Sequence, residues 1–544
     1  RGIFVAPLRT ALGMSFDLVY VVGMVEGAVP PRQTGDPLLP DRERQRAGGP
    51  AAGLPLRGGR EADERYHYLA ALAAGKQCVL SFPRGNPGAQ RGQFPSRWFL
   101  EAATRLHGAP VYTSNLGSLG SVPWLTTVAS MEDGLQTVAT EAPADIHDRD
   151  VEGLWRWRRA GRPMEQHHLA ASGQLSRALA LGQGREAHQL THWDGDVSIL
   201  KDRTRRLRLL NRPALSPTSL ETWATCPFRY FLGRVLGVAA LEQPEDVATM
   251  SPLEKGSLVH GILESFIRTV QEEGPLPSPE EPWSEEHRDL LHRLAQQSFA
   301  EAEAKGVTGK ALLWELQREA ILSDLDAFLA ADAELRDRFG VTPHLVEVRF
   351  GLPRSADGEP GLEAAQREIP GVGTLRFRGV ADRVDLDLSG NLALVLDYKT
   401  GSASSYQALK DDPIDGGKRL QLPIYTLALQ KSLGEEVTVR AAYWFVSARG
   451  RYAIFPPEPM EMAQVAERFD RAVGTIAQGI AEGVFPANPG SEVRGGFSNC
   501  YYCDFNTLCP SRRDIHWERK QADPRLRAYL QLQSGEAAQG DGEE

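Results

Sequence analysis

Residues 376–401 read "RFRGVADRVDLDLSGNLALVLDYKTG". Two apolar-alternating runs flank Ser389-Gly390, the pattern of a β-hairpin turning at those two residues. With a two-residue loop Leu388 faces Asn391, and counting back along both strands sets Asp382 opposite Asp397. Directly opposed residues hold their Cβ atoms about 4.5–5.5 Å apart. Two carboxylates that close repel unless a proton or a cation stands between them. Side chains alternate faces along a strand, so Lys399 points to the same side as Asp397. Paired hard oxygen donors suit Mg²⁺ or Mn²⁺. Such an ion lowers the pKa of a bound water and neutralises charge growing on a phosphate. The hairpin therefore predicts a metal-dependent phosphodiester-cleavage site. A surface ion pair at a strand end is the competing reading of Asp397 and Lys399.

Working outward, a strand at "HLVEVRFGL" (344–352) precedes the hairpin. A helix from about Gln421 and a strand at "VRAAYWFVS" (439–447) follow it. Upstream, "SPLEKGSLVHGILESFIRTV" (251–270) carries Leu258, Val259, Ile262, Leu263, Phe266, Ile267 and Val270 at helical spacing, one apolar stripe. His260 and Glu264 lie one turn apart, together and off that stripe. A longer helical stretch runs on to about Asp337. The unit opens at "LSPTSLETWATCPFRYFL" (215–232), where Ser216-Pro217 marks a helix start.

The chain has 544 residues, enough for two to four domains, and its 42% hydrophobic and 24% charged residues are ordinary for a globular protein. No apolar run approaches the roughly 20 residues of a membrane helix, and no signal-peptide pattern opens the chain. A cytoplasmic location without membrane contact is expected, in a chain that reads as part of a longer protein. The net charge of −10 argues against a basic-coated surface. It leaves room for local patches such as "KDRTRRLRLLNR" (201–212), which suits a phosphate contact and a solvated face equally.

Five cysteines are too few and too odd in number for a disulfide scaffold. Cys500, Cys503 and Cys509 stand within ten residues, so a four-thiolate site needs one more. Chemistry alone allows zinc or an iron–sulfur cluster. Cys78, in the first α/β stretch, is expected buried and inert.

The segments "GVADRVD", "LVLDYKTG", "GSLVHGILE" and "QLPIY" resemble the core and the Gly-x-x-x-His and Gln-x-x-x-Tyr motifs of RecB-type PD-(D/E)XK nucleases, over roughly residues 213–520. The resemblance implies that His260, Asp382 and Asp397 ligate Mg²⁺ or Mn²⁺ together with the backbone carbonyl of Tyr398. It makes Lys399 the catalytic lysine, places Gln421 and Tyr425 along the DNA path, and allows Glu264 as a support. Cys226 with Cys500, Cys503 and Cys509 matches the pattern by which AddB-type nucleases bind a 4Fe-4S cluster, a structural staple joining the two ends of the domain.

"FDLVYVVGMVEGAVPP" (16–31) begins with an apolar run, Leu18 to Val22, expected as a buried parallel strand. "EADERYHYLAALAAGKQCVLSFPR" (61–84) reads as a helix and then a strand from Cys78 to Phe82. Both resemble the last part of a UvrD-like superfamily-1 helicase motor. Active members place an Arg where Ala74 stands here, and the chain contains no GxxxxGK[ST] phosphate loop, so ATP hydrolysis by this chain alone is not expected.

The expected architecture is α/β and multidomain. It comprises a partial helicase-like unit at 1–100, a helical and irregular connection at 101–212, and a nuclease domain with its iron–sulfur staple at 213–520. An acidic, Gly-rich, disordered tail at 521–544 completes it. The resemblance is to the C-terminal portion of an AddB/AdnA-like subunit. It implies a Mg²⁺-dependent DNA exonuclease that resects double-strand ends, acting on single-stranded DNA or duplex ends in a heterodimer with a second helicase–nuclease subunit. A non-catalytic, DNA-end-binding scaffold that guides strands and a zinc-stapled regulatory protein are the rival expectations.

Overall fold

The computed structural model describes the chain except residues 1, 33–38, 57–59, 86–91, 129, 131–132, 135–145, 201–211, 240–248, 354–360, 494–495, 511 and 536–544. Most of the basic stretch 201–212 therefore lies outside the described residues. The chain divides into two compact units, Arg1–Gly182 and Gln183–Glu544.

In the first unit, β1 (Phe16–Val21) runs parallel to β2 (Gly75–Leu80), pairing Phe16 with Gly75 and Val21 with Leu80. Helix α1 (Arg60–Ala73) makes the crossover, as parallel strands require. Its small core gathers Val21, Met24, Tyr68, Trp98 and Phe99, the last two from α2 (Arg97–His107). The expected burial of β1 does not hold, since Leu18 and Tyr20 are exposed. Cys78 is likewise exposed rather than buried. The reason is shared: among the described residues this sheet has two strands, and both faces of such a narrow ribbon reach solvent.

The second unit opens with α3 (Pro217–Thr225) and the helices α4 (Pro252–Glu273), α5 (Glu285–Ala304) and α6 (Ala311–Phe339). Its strands β3 (Val341–Phe350), β6 (Gly379–Asp387), β7 (Leu392–Lys399), β8 (Thr438–Phe445) and β9 (Ile454–Glu461) form one sheet in the order 3-6-7-8-9. A separate hairpin joins β4 (Ala365–Ile369) to β5 (Gly373–Phe377). The β7–β8 pair is parallel and the other neighbours are antiparallel, so the sheet is mixed.

Alternation along β7 builds two cores. Val395 and Ala393 pack with α7 (Gln421–Leu433) and α8 (Met462–Glu482) through Ile424, Leu429, Phe469 and Val473. Leu394, Leu396 and Tyr398 pack with α4, α5 and α6 through Ile262, Phe266, Leu291 and Phe328. The sheet thus lies between two helical layers. The stripe on α4 is buried as its spacing predicts, and a Ser251–Glu254 capping box starts that helix.

The hairpin register, Val384↔Val395 and Leu386↔Ala393, agrees with the count from the sequence. The turn is wider than two residues, because Gly390 donates its N–H to Asp387 O at 3.0 Å and adopts φ 71°. Its extra residues leave the pairing unchanged.

The expected disordered tail is corrected over its first half. Helix α9 (Arg527–Ser534) buries Tyr529, whose hydroxyl donates to Ala224 O at 3.1 Å. An aromatic residue with a satisfied hydroxyl outweighs the acidic, Gly-rich composition, and that composition belongs to residues 536–544, outside the described residues. Part of the stretch expected as a connection also packs in this unit. Val197 donates its N–H to Gly483 O at 2.8 Å, and Arg525 pairs with Asp196 at 2.7 Å.

Candidate active site

The site forms at one end of the sheet. One step past the last ladder pair, Arg383↔Leu396, stand Asp382 and Asp397. Asp382 Oδ2 accepts the Tyr398 N–H at 2.6 Å, and its Oδ1 lies 3.3 Å from His260 Nδ1. His260 reaches the strand end from α4 and packs edge-on to the Tyr398 ring at 5.7 Å. Burial works against the charged imidazole, but Asp382 and Asp397 outweigh it and hold the pKa above the ordinary value. Asp397 is buried at 2% exposure. Burial raises its carboxyl pKa, opposed by Lys399 and reinforced by Asp382.

Lys399 pairs with Asp397 and donates to Gln421 Oε1 at 3.2 Å. Burial works against its charge, yet Asp397 keeps the ammonium pKa raised. Gln421 Nε2 donates to the Tyr425 hydroxyl at 3.3 Å. Tyr425 is buried beside Phe350, because α7 turns that face onto the sheet. Glu264 turns to Arg268 on its own helix at 2.8 Å rather than to His260.

The expectation from sequence missed Glu347. Its carboxylate, His260 and Asp382 each offer one donor atom, and those three atoms lie within 4.8 Å of one another. The register Val346↔Arg383 and Val348↔Ala381 sets Glu347 beside Asp382 across the β3–β6 ladder. Its φ of 49° is uncommon for a residue with a side chain. Burial, then Asp382 and Glu264, push its carboxyl up to about 7. Glu347 looked like any polar residue of an alternating strand, and only the pairing of β3 with β6 singles it out.

These donors fit a divalent ion. The carboxylates of Glu347 and Asp382 crowd together beside His260, and Asp397, paired with Lys399, stands next to Asp382 across the hairpin. Carboxylates held this way raise one another's pKa unless a further cation stands among them.

A second cluster lies in the same unit. Cys226 ends α3, and Cys226, Cys500, Cys503 and Cys509 line one small recess with Arg229 and Arg513 beside it. Burial pushes the Cys226 thiol up to about 11 and Cys509 up to about 12, each reinforced by the neighbouring cysteines. Backbone N–H groups of Arg229 and Asn488 favour the thiolate of Cys226. Cys500 is buried and the other three are half-buried; their thiols line the recess without converging as closely as the His260, Glu347 and Asp382 donors do.

A sheet between two helical layers, with clustered acids and a lysine at one strand end, defines a nuclease-type fold and site. The chain belongs to the PD-(D/E)XK nuclease superfamily, whose family model matches residues 214–510. It is similar to the AddB-type ATP-dependent helicase/deoxyribonuclease protein of Symbiobacterium thermophilum, 31% identical over 231 residues, which is 41% of this chain and 18% of that protein. The protein of the same name from Desulforudis audaxviator is 25% identical over 465 residues, 81% of this chain and 36% of that protein. That from Lacticaseibacillus paracasei is 24% identical over 443 residues, 76% of this chain and 33% of that protein. The chain thus spans about a third or less of these curated relatives.

Among the described residues no helix is long and apolar enough to cross a membrane.

Proposed function

We propose that this chain carries the Mg²⁺-dependent DNA exonuclease module of a helicase–nuclease that resects double-strand ends in the cytoplasm, working with a second subunit. The observation that carries the reading is the convergence of His260, Glu347 and Asp382 donor atoms beside the buried Asp397–Lys399 pair. His260, Asp382, Asp397 and the Tyr398 carbonyl would hold Mg²⁺ or Mn²⁺, with Glu347 at the edge of the set. When bound, the ion would supply an activated water and neutralise charge on the scissile phosphate. Lys399, steadied by Gln421, would offer its ammonium to that phosphate, with Tyr425 bracing Gln421 from the buried side. The four-cysteine recess would hold a 4Fe-4S cluster as a structural staple between α3 and the loop at 500–509. The first unit would be the helicase-like part, and residues 101–212 its connection to the nuclease domain.

The test is cleavage of single-stranded DNA by the Asp397→Ala chain, with circular dichroism as the folding control. Loss of Mg²⁺-dependent cutting with the fold retained is expected, and cutting at the wild-type rate would overturn the assignment. Lys399→Ala should keep Mn²⁺ affinity by calorimetry while losing turnover, because its ammonium acts on the chemistry rather than on the ion.

A further inference from the structure

Glu221 sits in "TSLETWATCPF", five residues before Cys226. Helix α3 therefore carries it about 1.5 turns from a cysteine of the recess. The start of α7 gives it a role. Leu420, the N-cap residue there, offers no side-chain cap, and the first N–H groups of a helix have no partner within it. Glu221 Oε1 accepts two of them, from Leu420 at 2.7 Å and Gln421 at 3.2 Å. A carboxylate at a helix N-terminus also meets the positive end of the helix dipole. Gln421, so fixed, is the residue whose Oε1 accepts from Lys399 Nζ at 3.2 Å.

The C-terminal end of α3 is held as firmly. The Ala224 carbonyl accepts from Tyr529 Oη at 3.1 Å and from Gln533 Nε2 at 2.9 Å. The Thr225 carbonyl accepts from Asn499 Nδ2 at 3.0 Å, one residue before Cys500. Helix α3 is thus a strut, with the cysteine recess at its C-terminal end and the lysine's support carried from its middle.

We propose that Glu221 is a positioning residue of the nuclease site: by capping α7 it fixes Gln421 and through it the Lys399 ammonium, and it ties that placement to the helix ending in Cys226. The inference rests on the nuclease reading above. The full chain is assayed on single-stranded DNA at saturating Mg²⁺ as Glu221→Ala, Glu221→Gln and Glu221→Asp, beside Asp397→Ala. Glu221→Ala should lower kcat by about 10- to 100-fold, because a displaced catalytic group costs rate. KM, Mn²⁺ affinity and visible absorption should stay near wild type. Glu221→Gln should regain most of the rate, since its amide oxygen still accepts both N–H groups, whereas the shorter Glu221→Asp should stay slow. Wild-type kcat in Glu221→Ala, or glutamine and aspartate variants of equal rate, would overturn the proposal. If Glu221→Ala does not fold, the glutamine–aspartate comparison alone decides. Asp397→Ala inactive beside a fully active Glu221→Ala sinks this inference only. Asp397→Ala cutting at the wild-type rate sinks the nuclease reading, and this inference with it.

Discussion

Asp382 and Arg383 are neighbours on one strand and belong to opposite kinds of ionic cluster. Strand alternation turns Arg383 and Asp385 to the face covered by α4–α6, and Asp382 to the site. Behind the sheet, Arg383 pairs with Asp385 at 2.5 and 2.6 Å and with Asp332 at 2.5 Å. Asp332 also pairs with Arg336 at 2.9 Å and accepts from Trp283 Nε1 at 2.7 Å. Two arginines meet two aspartates, and all four side chains are fully buried. In front, Asp382 and Glu347 meet at His260, and beside them Asp397 pairs with Lys399. Structural charges in a protein interior are matched, because an unmatched one is costly there. The site keeps an excess of carboxylate, which is the condition for recruiting a cation.

The comparison is broken most sharply by exchanging single charges. Asp382→Asn should cut Mg²⁺-dependent cleavage by at least about 10³-fold, as loss of a cation ligand does. Its melting temperature in EDTA should stay near wild type, because the amide oxygen can still accept the Tyr398 N–H, and the lost pairing with His260 is offset by relief of repulsion from Asp397 and Glu347. Arg383→Met should lower stability. It leaves two buried aspartates short of a partner and should cost about 3–5 kcal/mol in urea unfolding. Equal destabilisation by both variants would show that the two clusters do not differ in kind.

Cys226→Ala should bleach the broad absorption near about 400 nm expected of a thiolate-bound cluster. It should also destabilise the second unit by about 2–4 kcal/mol, the range for a cross-link closing a long loop. Cys78→Ala, at an exposed position in the first unit, should do neither. Colourless protein carrying one equivalent of zinc would overturn the iron–sulfur assignment and leave the staple.

The smallest effect concerns Glu347 in metal-free protein. Its carboxyl binds a proton more readily folded, at about 7, than at the ordinary 4.5. Stability is therefore lost as pH rises between those values, and the loss is complete above about 7. Glu347→Gln should stabilise the protein in EDTA at pH 8 by about 1–2 kcal/mol after allowance for solvent, and by nothing below pH 4.5. Thermal melts at the two pH values test it, and saturating Mn²⁺ should erase the advantage.

Much of the site was legible from local pattern. A hairpin of alternating residues has a register that can be counted, which is why Asp382, Asp397 and Lys399 could be brought together on paper. The stripe on α4 likewise placed His260 off the buried face. The burial of Tyr425 was not legible, because a helix motif does not tell which flank packs on a sheet. Leu18, Tyr20 and Cys78 were misjudged because burial depends on how many strands a sheet has, two here among the described residues, and no strand encodes that number.

The sequence by itself determined the local geometry: the hairpin pairing, the helix caps, and the spacing of Cys500, Cys503 and Cys509. It could do so because hydrogen bonds and alternation act between near neighbours. Tertiary structure alone decided that Glu347 meets His260 and Asp382 and that Glu221 caps a helix some 200 residues later. Each of those contacts closes a long loop, and residues far apart in the chain carry no periodic signal of one another.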